Sequence, residues 1–149
     1  MSPAVPYRAP WWLRGGHLQT VYGALAAAAG PVPVYERTRW STPDGDFIDV
    51  DRLGNVPPLR RPSDGPPPLV VLFHGLEGSS GSHYARALAS RLAREGWRLA
   101  VPHFRGCSGE PNRLARAYHS GDSDEIAWVL ERFSAEAQGG ALVAVGISL

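Results

Sequence analysis

The sequence predicts an α/β protein built on a doubly wound, mostly parallel sheet. Three short apolar segments, at 69–73, 98–104 and 141–145, indicate buried strands, and an amphipathic helical pattern lies between each successive pair. Strands that alternate with helices in this way are typical of parallel sheets covered by helices on both faces. Residues 69–149 are therefore predicted to fold as β-α-β-α-β, within a chain whose 149 residues suit a single domain.

The three strands differ in how strongly they favour a central place in the sheet. The segments LVVLF at 69–73 and ALVAV at 141–145 are continuously apolar, as strands buried on both faces are. The segment RLAVPHF at 98–104 contains Pro102, which cannot donate a hydrogen bond to a neighbouring strand. This proline disfavours a central position for that strand.

Two helices are predicted between these strands. The first spans about 83–95, where apolar residues recur at i, i+4 spacing and Gly96 ends the pattern. The second spans about 122–136 and carries an apolar stripe at i, i+3, i+4 and i+7 spacing. Ser120 or Asp122 is expected to cap it, and the acidic residues of its first turn suit the positive end of the helix dipole.

The N-terminal part of the chain has a different pattern. Residues 1–33 are predicted to be an irregular, aromatic-rich segment with a short helix at 17–28. Residues 34–53 alternate in polarity on either side of the turn TPDGD at 42–46, which predicts a hairpin of two half-buried strands. Residues 54–68 form a proline-rich connection.

Composition excludes several classes of function. The chain is 44% hydrophobic and 19% charged, with a net charge of +1, which is ordinary for a globular protein. It has no basic stripe of the kind that binds nucleic acid, and the pair Arg60-Arg61 is too short to form one. No strand is followed by a glycine-rich motif for a nucleotide phosphate, which disfavours a P-loop or dinucleotide-binding protein.

The sequence predicts no stable membrane span and a cytoplasmic location. The apolar run VYGALAAAA at 21–29 is far shorter than the about 20 residues that cross a bilayer. The N-terminus does not resemble a signal peptide, and Cys107, the single cysteine, fits a reducing compartment. Trp11 and Trp12 are expected to cover an edge of the core, with contact to a membrane surface as the alternative. The oligomeric state stays open.

The last four residues, GISL at 146–149, carry the first candidate for chemistry. A Gly-x-Ser after a buried strand is the start of a nucleophile elbow, a sharp strand-to-helix turn that lifts the serine Oγ clear of the sheet. Ser148 is the candidate nucleophile, and the N–H of Leu149 would stabilise an oxyanion. An ordinary serine is the alternative, because Gly-x-Ser alone is a weak signal.

The segment FHGLEGSS at 73–80 carries the second candidate. In an elbow-type hydrolase the loop after an earlier strand supplies the other oxyanion donor, and Leu76 N–H occupies that position. Gly75 and Gly78 would let the loop approach the substrate. His74 is interpreted as a structural residue that holds this loop by hydrogen bonds, rather than as the general base.

The remaining reactive residues do not form a recognisable site. No metal site is expected, because His17, His83, His103 and His119 show no metal-ligand spacing. Acyl transfer through a serine would need no cofactor either. Cys107 lacks the surroundings of a cysteine-protease nucleophile, and that role is disfavoured.

Together these motifs resemble a known family. The segments WLRGGHLQT, TPDGDFIDVD, LFHGLEGSSGSHYARALA, VPHFRGCSGEPNRLARAYHSGDSDEIAWVL and AVGISL are similar to the YheT-like family of α/β-hydrolase-fold esterases. That group is related to eukaryotic abhydrolase-domain lipases and yeast ethanol acyltransferases. The resemblance covers nearly the whole chain, in order.

The resemblance implies a serine hydrolase that acts through an acyl-serine on a small carboxylic ester or an acylglycerol. It assigns Ser148 as nucleophile and the N–H groups of Leu76 and Leu149 as oxyanion donors. The family places its catalytic acid and histidine later in the chain. The 149 residues of this sequence are therefore expected to be the N-terminal half of such an enzyme, truncated at the elbow and inactive alone. An alcohol acyltransferase and a non-enzymatic remnant or binding module are the alternatives.

Overall fold

The computed structural model describes residues 8–28, 32–54, 56–57 and 65–148. The predictions for Arg60-Arg61, Leu149 and parts of 1–33 and 54–68 fall outside these residues. The described elements are, in chain order, α1 Gly16–Ala28, β1 Tyr35–Ser41, β2 Phe47–Leu53, β3 Leu69–Phe73, α2 His83–Glu95, β4 Arg98–Pro102, α3 Ser123–Glu136 and β5 Leu142–Gly146.

The five strands form one mixed sheet in the order β1-β2-β4-β3-β5. β3 is parallel to both β4 and β5, whereas β2 is antiparallel to β4 and to β1. Among these strands β2 alone therefore runs against the other four. The predicted α/β class with a doubly wound, mostly parallel sheet is confirmed.

A hydrophobic cluster covers each face of the sheet, and each helix after β3 belongs to a different one. On one face α2 packs with alternate residues of β3 and β4, and on the other face α3 packs with β2, β3 and β4. The first cluster contains Val70, Leu72, Ala85, Ala89, Leu92, Leu99 and Val101. The second contains Trp40, Ile48, Val50, Leu69, Val71, Phe73, Ala100, Phe104, Val129 and Phe133.

The expectation that Pro102 keeps β4 from the centre of the sheet is wrong. β4 lies between β2 and β3, in the middle of the sheet. Pro102 is its last residue and pairs with Val50 of β2, whereas pairing with β3 ends at Ala100. The missing N–H therefore falls where β3 no longer needs a donor.

The expectation that β2 is half buried is also wrong. Its polar residues Asp49 and Asp51 are only 2% exposed, like its apolar ones. The carboxylate of Asp51 receives both Nε and Nη2 of Arg37 at 2.7 and 2.8 Å, and Asp49 receives Arg39 in the same way. Burial of the polar face is tolerated because bidentate ion pairs from β1 satisfy each carboxylate.

β5 is less buried than predicted, whereas β2 is more buried. It lies at the edge of the described sheet, where Val143 is 40% exposed. The predicted burial on both faces is therefore wrong for this strand within the described residues, where Val143 and Ala144 are exposed and β3 is its sole partner.

The start of α3 is stabilised by ion pairs rather than by the predicted cap. Asp122 occupies the cap position without a side-chain hydrogen bond to the helix, and its carboxylate binds Arg116 instead. Glu125 binds Arg105 at 2.6 Å. A charge-assisted bond to Arg116 thus takes the place of the predicted bond from Asp122 to the helix N–H groups.

The helix α1 contacts α2. Trp11 is 80% and Trp12 is 50% exposed, so the expectation that they cover an edge of the core is wrong for the described structure.

The described helices include none that is both long enough and apolar enough to traverse a bilayer.

Asp46 joins the hairpin turn to the loop after β4. Its fully buried carboxylate accepts the N–H groups of Arg113 at 3.0 Å and Phe47 at 2.9 Å, together with the side chains of Asn112 and Arg105. Burial by itself would raise the pKa of Asp46, but these donors outweigh it and lower the pKa to about 2. The charged form is therefore the one that the fold stabilises.

Asp46→Asn is expected to lower the free energy of unfolding by about 2 kcal/mol at pH 7, because an amide cannot accept the converging donors. Since the folded pKa is depressed, the wild-type advantage is present above about pH 4 and is lost as the pH falls toward 2. Urea titrations at several pH values measure both effects. Asp124→Asn, at an exposed site, is the matched control; a difference between Asp46→Asn and wild type that did not change with pH would contradict the assignment.

Candidate active site

The loop after β3 turns sharply at residues 75–78. Gly78 N–H donates to Gly75 C=O at 2.9 Å, which closes a four-residue turn with Leu76 and Glu77 in its middle. Glu77 has a φ of 51°, the left-handed value that some turns require at their third position. The side chain of Leu76 is 76% exposed, so the turn presents this residue to the surface.

His74 is fully buried and connects this turn to the loop after β4. Its Nε2 lies 3.1 Å from Phe104 N–H, and its Nδ1 lies 2.8 Å from Gly75 C=O. A backbone N–H needs an acceptor and a carbonyl needs a donor, so Nε2 is bare and Nδ1 carries the proton. Burial lowers the pKa of His74, with a further lowering from His103 against an opposing effect of the Gly75 bond, and the ring is neutral.

Ser148 lies directly against this turn. Ile147 N–H donates to Phe73 C=O at 3.0 Å, which continues the β3–β5 pairing beyond the strands. Ser148 then has a φ of 50°. A Cβ placed on Gly75 would lie 2.8 Å from Ile147 C=O and 3.4 Å from Ser148 Cβ, so only glycine allows this approach. Within the described residues Ser148 forms no hydrogen bond.

Two tyrosines that the sequence analysis did not identify also contact the turn. Tyr84 OH accepts Gly75 N–H at 3.1 Å, and Tyr118 OH accepts Glu77 N–H at 2.8 Å. Tyr84 lies within the helix predicted over about 83–95, and Tyr118 stands in a segment without periodicity. The position of Tyr84 one residue into a helix that follows the loop was the one available signal.

A second polar cluster fixes the far end of the same loop. Ser80 Oγ donates to Asp51 at 2.6 Å, and His103 Nε2 lies 2.9 Å from the same carboxylate oxygen. Donors from Arg37, His103 and Ser80 lower the pKa of Asp51, although its burial acts in the opposite direction. The aspartate thus connects β2 to the loops after β3 and β4.

These contacts bear on the other candidates for chemistry. The Nδ1 of His103 contacts the backbone carbonyl of Cys107, not its thiol, so both ring nitrogens of His103 are engaged. Burial raises the pKa of the Cys107 thiol, which opposes a thiolate nucleophile. Among the described residues there is no group of three or more His, Cys, Asp or Glu that could hold a metal ion.

Comparison with known proteins supports the same family. The family model described as "alpha/beta hydrolase fold" matches residues 68–149. The chain is 41% identical over 133 residues to "Putative esterase YheT" of Escherichia coli (strain K12), covering 89% of this chain and 37% of that protein. It is 30% identical over 96 residues to "Monoacylglycerol lipase ABHD2" of Danio rerio, covering 64% of this chain and 22% of that protein.

A solved structure gives the fold independently. The Pyrococcus furiosus esterase Pf2001 superposes with a TM-score of 0.50 at 17% sequence identity, over 76% of this chain and 42% of that one. The chain therefore spans well under half the length of the relatives it matches. The family model covers more than half of the chain, including β3, β4, β5 and the two helices between them. The resemblance to YheT-like proteins is confirmed. The chain belongs to the α/β-hydrolase fold family.

Proposed function

We propose that this chain supplies the nucleophile and the oxyanion loop of a serine carboxylic-ester hydrolase. The observation that carries the proposal is the position of Ser148. It follows a strand of the sheet, has the left-handed φ of 50° that a nucleophile elbow requires, and lies against Gly75 of the neighbouring loop. The esterase and lipase names of the relatives support the same reaction class.

In the proposed reaction Ser148 Oγ attacks the carbonyl carbon of the ester. Its proton passes to a base, and the carbonyl oxygen becomes an oxyanion that Leu76 N–H and Leu149 N–H stabilise. When the carbonyl re-forms, the bond to the alcohol breaks and the alcohol takes up the proton, leaving an acyl-serine. Water then attacks the acyl group, which leaves as the carboxylic acid and restores Ser148.

We propose that the catalytic histidine and acid lie beyond residue 149. Both ring nitrogens of His74 and of His103 are already engaged by other groups, and neither contacts Ser148. The chain also spans only 37% of its E. coli relative, which leaves ample length for both residues. The 149 residues alone would then be inactive, because a serine hydroxyl without a base is a poor nucleophile.

The substrate is proposed to be a small ester of a short or medium acyl chain, or an acylglycerol. The name of the Danio rerio relative supports the acylglycerol. An alcohol acyltransferase would use the same first half-reaction, with an alcohol replacing water in the second.

Ser148→Ala in the full-length protein is expected to lower kcat for a p-nitrophenyl ester by at least about 10⁴-fold, because the nucleophile is lost. The purified 149-residue chain should hydrolyse the ester no faster than the Ser148→Ala variant of the full-length protein. Initial rates over a series of acyl lengths measure both. Retention of activity by Ser148→Ala would overturn the proposed nucleophile, and Ser148-dependent hydrolysis by the short chain would overturn the proposed location of the base.

Gly75→Ala is expected to reduce kcat by roughly 100-fold or more, because its Cβ would push the oxyanion loop away from Ile147 and Ser148. Gly16→Ala is the matched control, since a Cβ there meets nothing within 4 Å. Steady-state kinetics and thermal melting of both variants separate a local effect from unfolding. Wild-type kcat in Gly75→Ala would show that the close approach is dispensable.

His74→Asn retains a donor at the Nδ1 position and is expected to retain more activity than His74→Ala. A structural role also predicts that the pH dependence of kcat/KM keeps its midpoint in both variants, because the titrating base is another residue. Measurement of kcat/KM between pH 5 and 9, at about half-unit intervals, tests this. Complete loss of the acidic limb in His74→Asn would instead identify His74 as the base.

A further inference from the structure

In the turn at residues 75–78, all but one of the backbone N–H groups donate a hydrogen bond to a described residue. Gly78 N–H is bound to Gly75 C=O, Gly75 N–H to Tyr84 OH, and Glu77 N–H to Tyr118 OH. Leu76 N–H forms no hydrogen bond with any other residue that the structure describes. The two tyrosine hydroxyls therefore restrain the peptide groups on either side of the one N–H that stays available.

We propose that Tyr84 and Tyr118 are positioning residues that preorganise Leu76 N–H for the oxyanion; this inference rests on the proposed function. They approach the turn from different elements, Tyr84 from the first turn of α2 and Tyr118 from the segment between β4 and α3. Donors fixed before the reaction do not have to reorient as charge develops, which is the main source of oxyanion stabilisation.

Tyr118 is itself held firmly. Its ring stacks on Phe104 with centroids 5.2 Å apart and an angle of 9° between the planes. Phe104 in turn donates its N–H to His74. The hydroxyl that receives Glu77 N–H is thus fixed by an aromatic cluster that includes the histidine of the same loop.

Tyr84 is positioned by the absence of a side chain opposite it. A Cβ on Gly78 would lie 2.4 Å from Tyr84 OH, so the hydroxyl occupies space that only glycine leaves free. This gives Gly78 a second role besides the predicted one of letting the loop approach the substrate. Any larger residue would displace the acceptor of Gly75 N–H and shift the peptide that precedes Leu76.

The conformation of Glu77 shows why Tyr118 is needed. A φ of 51° is unfavourable for a residue with a side chain and persists only where the surroundings enforce it. The hydrogen bond to Tyr118 acts on the N–H of this same residue. Without it Glu77 is free to return to a negative φ, which would rotate the peptide between Leu76 and Glu77.

The test compares Tyr84→Phe and Tyr118→Phe in the full-length enzyme, because each removes the hydroxyl and keeps the ring. Each is expected to lower kcat by about 10-fold with KM little changed, less than the loss of an oxyanion donor itself. Binding of an aryl boronic acid, whose tetrahedral adduct mimics the oxyanion, should weaken in parallel. Tyr22→Phe, on the exposed face of α1, is the control.

A second readout distinguishes positioning from general stability. Amide hydrogen exchange over residues 74–78 should accelerate in Tyr118→Phe, while the melting temperature and the exchange of β3 stay near wild type. Unchanged kcat in both variants would overturn the inference, as would a loss of kcat matched by equal weakening of ground-state binding. Activity that survives in Ser148→Ala overturns the proposed nucleophile instead, and a full-length protein without esterase activity overturns both proposals.

Discussion

The site depends on one steric constraint, the contact between Gly75 and the backbone at Ile147–Ser148. β3 and β5 are parallel neighbours paired from Leu69–Leu142 to Phe73–Gly146, so their carboxyl ends emerge side by side. The pairing extends one step further through Ile147 N–H. Adjacent loops at the carboxyl end of a parallel sheet have to separate or interlock, and here the lack of a side chain at Gly75 lets them interlock.

Buried polar side chains connect the loops around this contact to the rest of the sheet and keep the arrangement in place. His74 connects the loop after β3 to the loop after β4, Asp51 connects both to β2, and Asp46 ties the loop after β4 to the hairpin turn. Buried charges contribute little net stability when they replace apolar packing, but breaking one partner is costly. Their consequence is therefore geometric: each loop has few alternative positions in which all of these groups stay satisfied.

The fold was largely predictable because its signals are local. Periodicity and continuous apolar runs located the strands and helices, including α2 over 83–95 and β2 over 47–53. The central place of β4 and the burial of Asp49 were not predictable, since each depends on a partner in another strand. The ion pair of Asp122 is with Arg116, only six residues earlier, but that segment has no periodicity that would indicate it. Burial of a carboxylate, in particular, depends on an arginine on another strand, and the polarity pattern of the carboxylate's own strand does not indicate it.

The candidate site was likewise predictable only where its residues belong to motifs of consecutive residues. Ser148 and the loop from His74 follow motifs of consecutive residues, so the sequence indicated their positions, and their roles stay proposals. The contributions of Tyr84 and Tyr118 come from side chains 9 and 41 residues from the groups they bind. The position of Tyr84 at the start of the helix after the loop is the one local signal, and no local pattern indicates Tyr118.

The distribution of satisfied and unsatisfied polar groups connects the fold to the proposed chemistry. A folded protein satisfies almost all of its buried hydrogen-bonding groups, and the region around Gly75 follows this rule closely. The carbonyl of Gly75 accepts two donors, and His74 uses both ring nitrogens. Leu76 N–H and the Ser148 hydroxyl are among the groups here that have no partner within the described residues. Leu76 N–H is a donor and Ser148 Oγ is the proposed nucleophile. Glu77, the neighbour of Leu76, and Ser148 itself both have left-handed φ values. Strain that persists beside unpartnered polar groups is typical of a site that a ligand completes, and a donor beside a serine hydroxyl is what the proposed attack on an ester carbonyl would require.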